Sequence, residues 1–303
     1  MSVQSGFSPD RGDMIEGMVV LRYTAFSDDP NGGNRAGIVL DAAGRTDAQM
    51  QRLAAAVAYA ETAFVTGEDA SGFDVRYFSP ASEVPFCGHA TIALAVALAE
   101  ERGLADRVFR TRSGLVPVGT ARTDGRAMMA TLTSVQPAIS IPAPGDLHGA
   151  LQILGWQETD LHPDLPPRVA YAGSHHLILL AEHAQRLDHL EYDYSRLKSL
   201  MDRLGWITIE LVWPNIWPVE HRVRGAFPAA PVVEDPATGS AAAAYGAYLR
   251  DLRAIDPPFH LVLRQGEAMG CPSTLYVDVP EGDSGIRVSG TAIQISTGAS
   301  SVS

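Results

Sequence analysis

The sequence predicts an α/β (α+β) protein of two similar halves, each a curled, mostly antiparallel sheet around one central buried helix. Three observations carry this prediction. Val233–Ala241 ends a strand, turns through Asp235-Pro236 and Thr238-Gly239-Ser240, and runs into Ala242–Leu249, which is apolar nearly all round. Pro236 fixes its own φ and holds Asp235 extended, while Gly239 removes a Cβ where backbone N–H groups open the helix. A helix apolar on every face belongs inside a core. Val84–Thr91 repeats the device, with Gly88 at the turn and Ile92–Ala99 as the apolar helix. Finally, 303 residues exceed one typical core and fit two of roughly 150, with Gly88 and Gly239 about half a chain apart.

In chain order, Val19–Thr24 and Ala36–Leu40 have strand composition and flank a turn-rich Asp29–Asn34, so they predict a hairpin with a long loop. Asp47 can cap a helix reaching Ala60, with Met50, Leu53 and Val57 at helical spacing and Glu61 at its end. Ala63–Val65 and Phe73–Phe78 are strands, and Val108–Val118 with Ala127–Leu132 is a further strand pair after the first buried helix.

The second half repeats that order. Val169–Tyr171 and His176–Leu180 read as strands, Tyr194–Leu204 as a helix, and Ile207–Leu211 and His221–Phe227 as strands before the second glycine turn. His260–Leu263, Ser273–Val277 and Gly285–Ile295 are β again. The expected organisation is a mobile tail over residues 1–17, one domain over 18–140, a linker at Ile141–Gly145 and a second domain over 146–303, whose final strand can cross back to the first.

A net charge of −12 opposes nucleic acid and anionic membranes, which need a dense basic face, and points to small-molecule partners. No apolar run approaches a membrane span, and Met1–Met18 lacks the order of a signal peptide, so the cytoplasm is the expected compartment. Cys87 and Cys271 are too few for a disulfide framework. A homodimer is compatible with all of this.

Two facing halves would bring Cys87-Gly88-His89 and Thr238-Gly239-Ser240 to one cleft, and a helix mouth of this kind attracts a carboxylate. From the residues alone, Glu61 is either an acid/base group or an ordinary helix-end carboxylate, His89 a site or a core histidine, and Asp235 a ligand group or a turn cap. His175-His176 has no carboxylate or thiol at ligand spacing and no His-Glu-x-x-His occurs, so no metal site is expected. No P-loop or Gly-x-Gly-x-x-Gly fingerprint occurs.

The order of Asn34, Ala36 and Gly37 in Gly32–Gly37, Glu61 in Glu61–Phe64, Cys87–Thr91, Glu234–Ala241, and Gln265-Gly266 through Gly270–Ser273 resembles the successive motifs of the PhzF-like (phenazine biosynthesis) family. The resemblance runs from about Val19 through nearly the whole chain. It implies a diaminopimelate epimerase-like fold with the site between two pseudo-symmetric domains. It also implies a cofactor-independent isomerase that moves a proton, and a double bond with it, on a small carboxylate-bearing substrate, in a setting such as secondary-metabolite biosynthesis. By position, Glu61 is then the acid/base, His89 and Asp235 act with it, and Cys87, Gly88, Thr238, Gly239 and Ser240 shape the pocket and hold substrate.

Cys87 is where the sequence departs from related racemases, which carry a cysteine at each glycine turn. Thr238 stands at the second turn, and a hydroxyl is far too weak an acid to replace a thiol. The Cys87/Thr238 pair also resembles the 3-hydroxyproline dehydratase branch of the proline racemases. The rivals are therefore a one-thiol epimerase or dehydratase of amino or imino acids, and a non-catalytic interaction protein that keeps the fold.

Overall fold

The computed structural model describes residues 12–125, 127–229 and 232–295. The first half runs β1 (Asp13–Ile15), β2 (Met18–Ala25), β3 (Asn34–Val39), α1 (Asp47–Val57), β4 (Glu61–Asp69), β5 (Gly72–Phe78), β6 (Glu83–Val84), α2 (Gly88–Arg102), β7 (Arg107–Thr111), β8 (Gly114–Arg122) and β9 (Met128–Thr133). The second runs β10 (Ala138–Ser140), α3 (Pro144–Leu154), β11 (Arg168–Tyr171), β12 (His175–Leu180), α4 (Gln185–Asp188), α5 (Tyr194–Leu204), β13 (Trp206–Ile216), β14 (Glu220–Ala229), β15 (Val232–Asp235), α6 (Gly239–Asp251), β16 (Phe259–Gln265), β17 (Ser273–Val279) and β18 (Arg287–Gln294).

Strand pairing repeats between the halves. In the first, β2–β3 is antiparallel, β3–β4 parallel, β4–β5 antiparallel, β5–β7 parallel, and β7–β8–β9 antiparallel. In the second, β11–β12, β12–β13, β13–β14, β14–β16 and β16–β17–β18 follow in the same senses. The last strand serves both sheets: Arg287–Thr291 pairs with β9, and Ala292–Gln294 pairs with β2, which closes the first sheet around α2. Helix α2 is buried from Gly88 to Ala99 and α6 over nearly its whole length, as their all-round apolar faces require. One apolar cluster spans both, from Ile92, Leu94 and Val96 to Tyr245, Tyr248 and Leu249. Two satellites sit under the outer helices: α1 packs Met50 and Leu53 near Phe64, and α3 and α5 pack Leu151, Leu197 and Leu200 near Leu211.

Several local expectations change. Thr46, not Asp47, caps α1, by a reciprocal pair with Gln49 that satisfies two orphan donors. The helix stops at Val57, so Glu61 is the first residue of β4 rather than the end of a helix. Val108–Val118 is two strands, β7 and β8, because Arg112-Ser113 turns the chain and sets Thr111 opposite Gly114. The linker gives up Pro144 and Gly145 to α3, where Pro144 opens the helix with its fixed φ and costs no hydrogen bond. The tail expected over residues 1–17 departs at Asp13–Ile15, a strand on β2; residues 1–11 lie outside the described residues.

Candidate active site

The two glycine turns meet. A Cβ built on Gly88 would lie 3.3 Å from Gly239 Cα, so the mouths of α2 and α6 touch backbone to backbone and any side chain there would push them apart. The residues before them, Cys87 and Thr238, are extended and make no side-chain cap to their own helices. The first backbone N–H groups of both helices are thus left uncapped beside a shared cavity of about 390 Å³. Glu61, Cys87, Gly88, His89, Asp235, Thr238, Gly239 and Ser240 all line it, together with Tyr171, Ser174 and Ile207.

On the first mouth, β4 begins beside α2 and delivers Glu61 to its N-terminus. The Cys87 thiol donates to Glu61 Oε2 at 3.5 Å, and His89 Nε2 lies 3.4 Å from the same oxygen. Burial, then the charge of Asp235, pushes the Glu61 carboxyl up to about 7, against a small opposing effect of the Cys87 hydrogen bond. Burial, then the Glu61 charge, lifts the Cys87 thiol well above its ordinary value, so it stays protonated. Burial pushes His89 down to about 4, and the Arg35 backbone carbonyl offsets part of that. At neutral pH the imidazole is therefore uncharged, and Glu61 is the group poised to take and return a proton.

Asn34 ties the mouths together. Its amide donates to Asp235 Oδ1 at 2.7 Å and to the Ala237 carbonyl at 3.1 Å, with His89 Nδ1 at 3.2 Å. Asp235 also accepts from Thr238 Oγ1 at 2.6 Å, which explains why Thr238 does not cap α6. Gln265 closes this turn, accepting from the Thr238 N–H at 3.1 Å and donating to the Asp235 carbonyl at 2.9 Å. Burial raises Asp235 to about 6 in spite of the hydrogen bonds from Thr238 and Asn34. Ser240 contacts His176 Nε2 at 3.1 Å, and His176 Nδ1 contacts Thr208 Oγ1 at 2.7 Å. His176 is fully buried and pushed down to about 3 by that burial and by His175, so it too is neutral. Behind Asp235, burial and then the charges of Asp235 and Glu234 push the Glu210 carboxyl well above its ordinary value, and its Oε2 has no hydrogen-bond partner among the described residues.

The sequence-predicted site residues thus converge, and three partners join them that sequence reasoning left out of the site. Asn34 and Gln265 stood in the motifs without a role, and their contacts span 201 and 30 residues. His176 was set aside for lack of a metal partner, and nothing in its neighbourhood signals a contact 64 residues away. Sequence spacing shows no metal-ligand set either. Folding nevertheless gathers Glu61, Cys87 and His89 with their donor atoms all within 4.8 Å of one another.

The model of the PhzC-PhzF family, phenazine biosynthesis-like protein, matches residues 23–298. The chain belongs to this family. It is 33% identical to the uncharacterized isomerase YddE of Salmonella typhimurium over 90% of this chain and 95% of the relative. It is 30% identical to the trans-2,3-dihydro-3-hydroxyanthranilate isomerase of Pseudomonas aeruginosa over 90% and 96%. Among solved structures it resembles a PhzF-family phenazine biosynthesis protein of Bacillus anthracis, with a TM-score of 0.81, 26% identity and coverage of 91% and 96%. A probable proline racemase of Agrobacterium radiobacter, at TM-score 0.60, 13% identity and 90% coverage of each chain, shares the fold. The epimerase-like fold and the isomerase class expected from the sequence stand with these relatives. No helix among the described residues is long and apolar enough to cross a membrane.

Proposed function

We infer that this protein is a cofactor-independent isomerase that relocates a proton, and with it a double bond, on a small carboxylate-bearing metabolite. The observation that carries the reading is the Glu61 carboxyl, near neutrality at about 7, facing a cavity shared with Asp235. A group of that pKa can deprotonate one carbon and return the proton to another without a metal or an organic carrier. Neutral His89 supports the proton on Glu61, while Asp235, Ser240 and the two helix mouths hold the substrate's polar groups. Cys87 and Thr238 border the reacting face. The cavity suits a ring of modest size, and the substrate named for the Pseudomonas relative, a ring carrying a carboxylate, is of that class. A place in secondary metabolism, in the cytoplasm and as a homodimer, belongs to the same proposal.

The test is hydrogen exchange. Candidate cyclic carboxylates incubated with the protein in D2O should gain deuterium at carbon by NMR, and Glu61→Gln should lose about 10²–10⁴ of that rate while still binding by calorimetry. Wild-type exchange in Glu61→Gln would mean that another residue does the chemistry.

One observation favours a second reading. Cys87 Sγ lies 3.5 Å from Glu61 and 3.3 Å from His89, so a one-thiol epimerase or dehydratase has its groups in contact. In that case Cys87→Ala would cost as much as Glu61→Gln, and a dehydratase would release water from a hydroxylated amino or imino acid.

A further inference from the structure

Ser240 ends a chain of three polar groups that begins in the core. His176 is fully buried between the other two, with Nδ1 2.7 Å from Thr208 Oγ1 and Nε2 3.1 Å from Ser240 Oγ. A register shift between β12 and β13 makes this possible. His175 lies opposite Trp206 and His176 opposite Thr208, so Ile207 is skipped; regular pairing would bring that apolar side chain to the ring instead. Burial, then His175, holds the His176 imidazole near 3, so the neutral ring carries one proton and donates from one nitrogen only.

Thr208 decides which nitrogen that is. It is 1% exposed, and its hydroxyl has no other hydrogen-bond partner among the described residues. Were Nδ1 the donor, the Thr208 proton would be buried without an acceptor. Thr208 therefore donates to Nδ1, the ring proton sits on Nε2, and Nε2–H donates to Ser240 Oγ. The Ser240 proton is left over. It belongs to a half-buried hydroxyl that lines the cavity at the second residue of α6, where the opening N–H groups already favour an anion.

We propose that Thr208 and His176 are positioning residues that fix Ser240 as a hydrogen-bond donor to a carboxylate oxygen of the ligand. The reversed chain would spend the Ser240 proton on His176 and meet a carboxylate with lone pairs alone. It would also make His176 a base for Ser240, a role the Nε2–H form does not allow. The direction of the chain is independent of the reaction inferred above; the ligand half rests on that reading of the cavity.

The ring nitrogens of full-length protein labelled with nitrogen-15 histidine read the direction by NMR. His176 is picked out from the nine histidines by its loss in His176→Gln. The expected result is a proton on Nε2 and none on Nδ1 at neutral pH. Thr208→Val leaves Nδ1 without a partner in either form, so the ring should populate both, and Thr208→Ser, which returns the hydroxyl, should restore Nε2–H. Benzoate, one ring with one carboxylate, is the ligand probe. Ser240→Ala should weaken it about 10–100-fold, as loss of a hydrogen bond to a charged group does. In Thr208→Val its affinity should fall by the reciprocal of the Nε2–H fraction measured in the free variant, and saturating benzoate should return the ring to Nε2–H. A merely structural Thr208 has no reason to obey that equality. A wild-type proton on Nδ1, or a Thr208→Val ring that stays wholly Nε2–H, overturns the relay. If Thr208→Val does not fold by circular dichroism, the wild-type nitrogens alone decide. Benzoate that does not bind, or that binds Ser240→Ala as tightly as wild type, overturns the ligand half. An Nε2–H ring in protein without deuterium exchange would sink the reaction and leave the chain of donors standing.

Discussion

The two halves share a scaffold so closely that they can be compared residue by residue. Arg76 lies opposite Phe64 and its Glu83 partner opposite Phe78; Arg224 lies opposite Leu211 and its Glu234 partner opposite Ala226. Continuing those registers sets Glu61 against Thr208, Ala36 against His176, Val84 against Asp235 and Thr62 against Ile209. In each half an imidazole bridges the strand position and the helix mouth. In the first it is His89 on the helix, reaching Glu61; in the second it is His176 on a strand, touching Thr208 and Ser240. The difference bears on chemistry. Two-sided acid/base inversion wants matching groups at matching positions, yet Glu61 faces a threonine and Asp235 a valine in the repeat. On the reaction proposed above, the first half would carry the proton-handling groups and the second the holding groups, an asymmetry that suits one shuttle better than two opposed bases.

The largest expected asymmetry lies beneath the mouths. Arg224–Glu234 and Arg76–Glu83 are both bidentate, but the side chains of the first pair are 13% and 4% exposed against 21% and 13% for the second. Glu83 also has Arg112 at 2.7 Å to neutralise it. Arg224→Met strands a buried carboxylate next to Asp235 and should cost about 3–5 kcal/mol. Arg76→Met should cost about 1 kcal/mol or less, since a shallower charge is screened by water and has a second partner. Urea unfolding of the two variants reads the difference, and equal losses would break the comparison.

A middle-sized effect should appear in acid. His176, held near 3 in the fold, takes up its proton at about 6.5 when unfolded, so the stability from burying the neutral ring is full above about 6.5 and is lost as pH falls toward 3. His89 and His221, both near 4, add to that slope. Glu61 and Asp235, raised to about 7 and about 6, oppose it, because the fold keeps their protons where the unfolded chain has released them. Comparison with His176→Gln isolates one group: between about pH 4 and 6 the wild type should lose about 1.4 kcal/mol per pH unit more than the variant. Parallel profiles would mean that His176 stays accessible to protons in the fold.

What could be read in the sequence follows from range. An apolar helix behind a glycine turn is a local pattern, and it fixed both α2 and α6 and hence the cleft between Gly88 and Gly239. Tyr194–Leu204 was legible for the same reason, since its apolar residues recur at helical spacing. Helix α3 was hidden because Pro144 and Gly145 are as good in a linker as at a helix start. Glu61 was assigned to the site by motif but to the wrong element, because Ala58 leaves α1 in a left-handed conformation that no local pattern announced. Partners such as Asn34 with Asp235 or His176 with Ser240 depend on tertiary register, which a one-dimensional pattern does not carry.

The smallest effect sharpens the comparison most. Thr62 is fully buried next to Glu61, and its Oγ1 has no hydrogen-bond partner among the described residues, whereas the repeat places the apolar Ile209 at the equivalent position. An unsatisfied buried hydroxyl costs free energy, and replacing it by a methyl of the same shape removes the cost without opening a cavity. Thr62→Val should therefore be neutral or stabilising by up to about 1 kcal/mol in urea unfolding. It should leave deuterium exchange unchanged, because Glu61 and its neighbours keep their packing. A loss of more than about 1 kcal/mol would show that the hydroxyl serves a bound water the repeat does not need, and that the halves diverge in their cores as well as at their mouths.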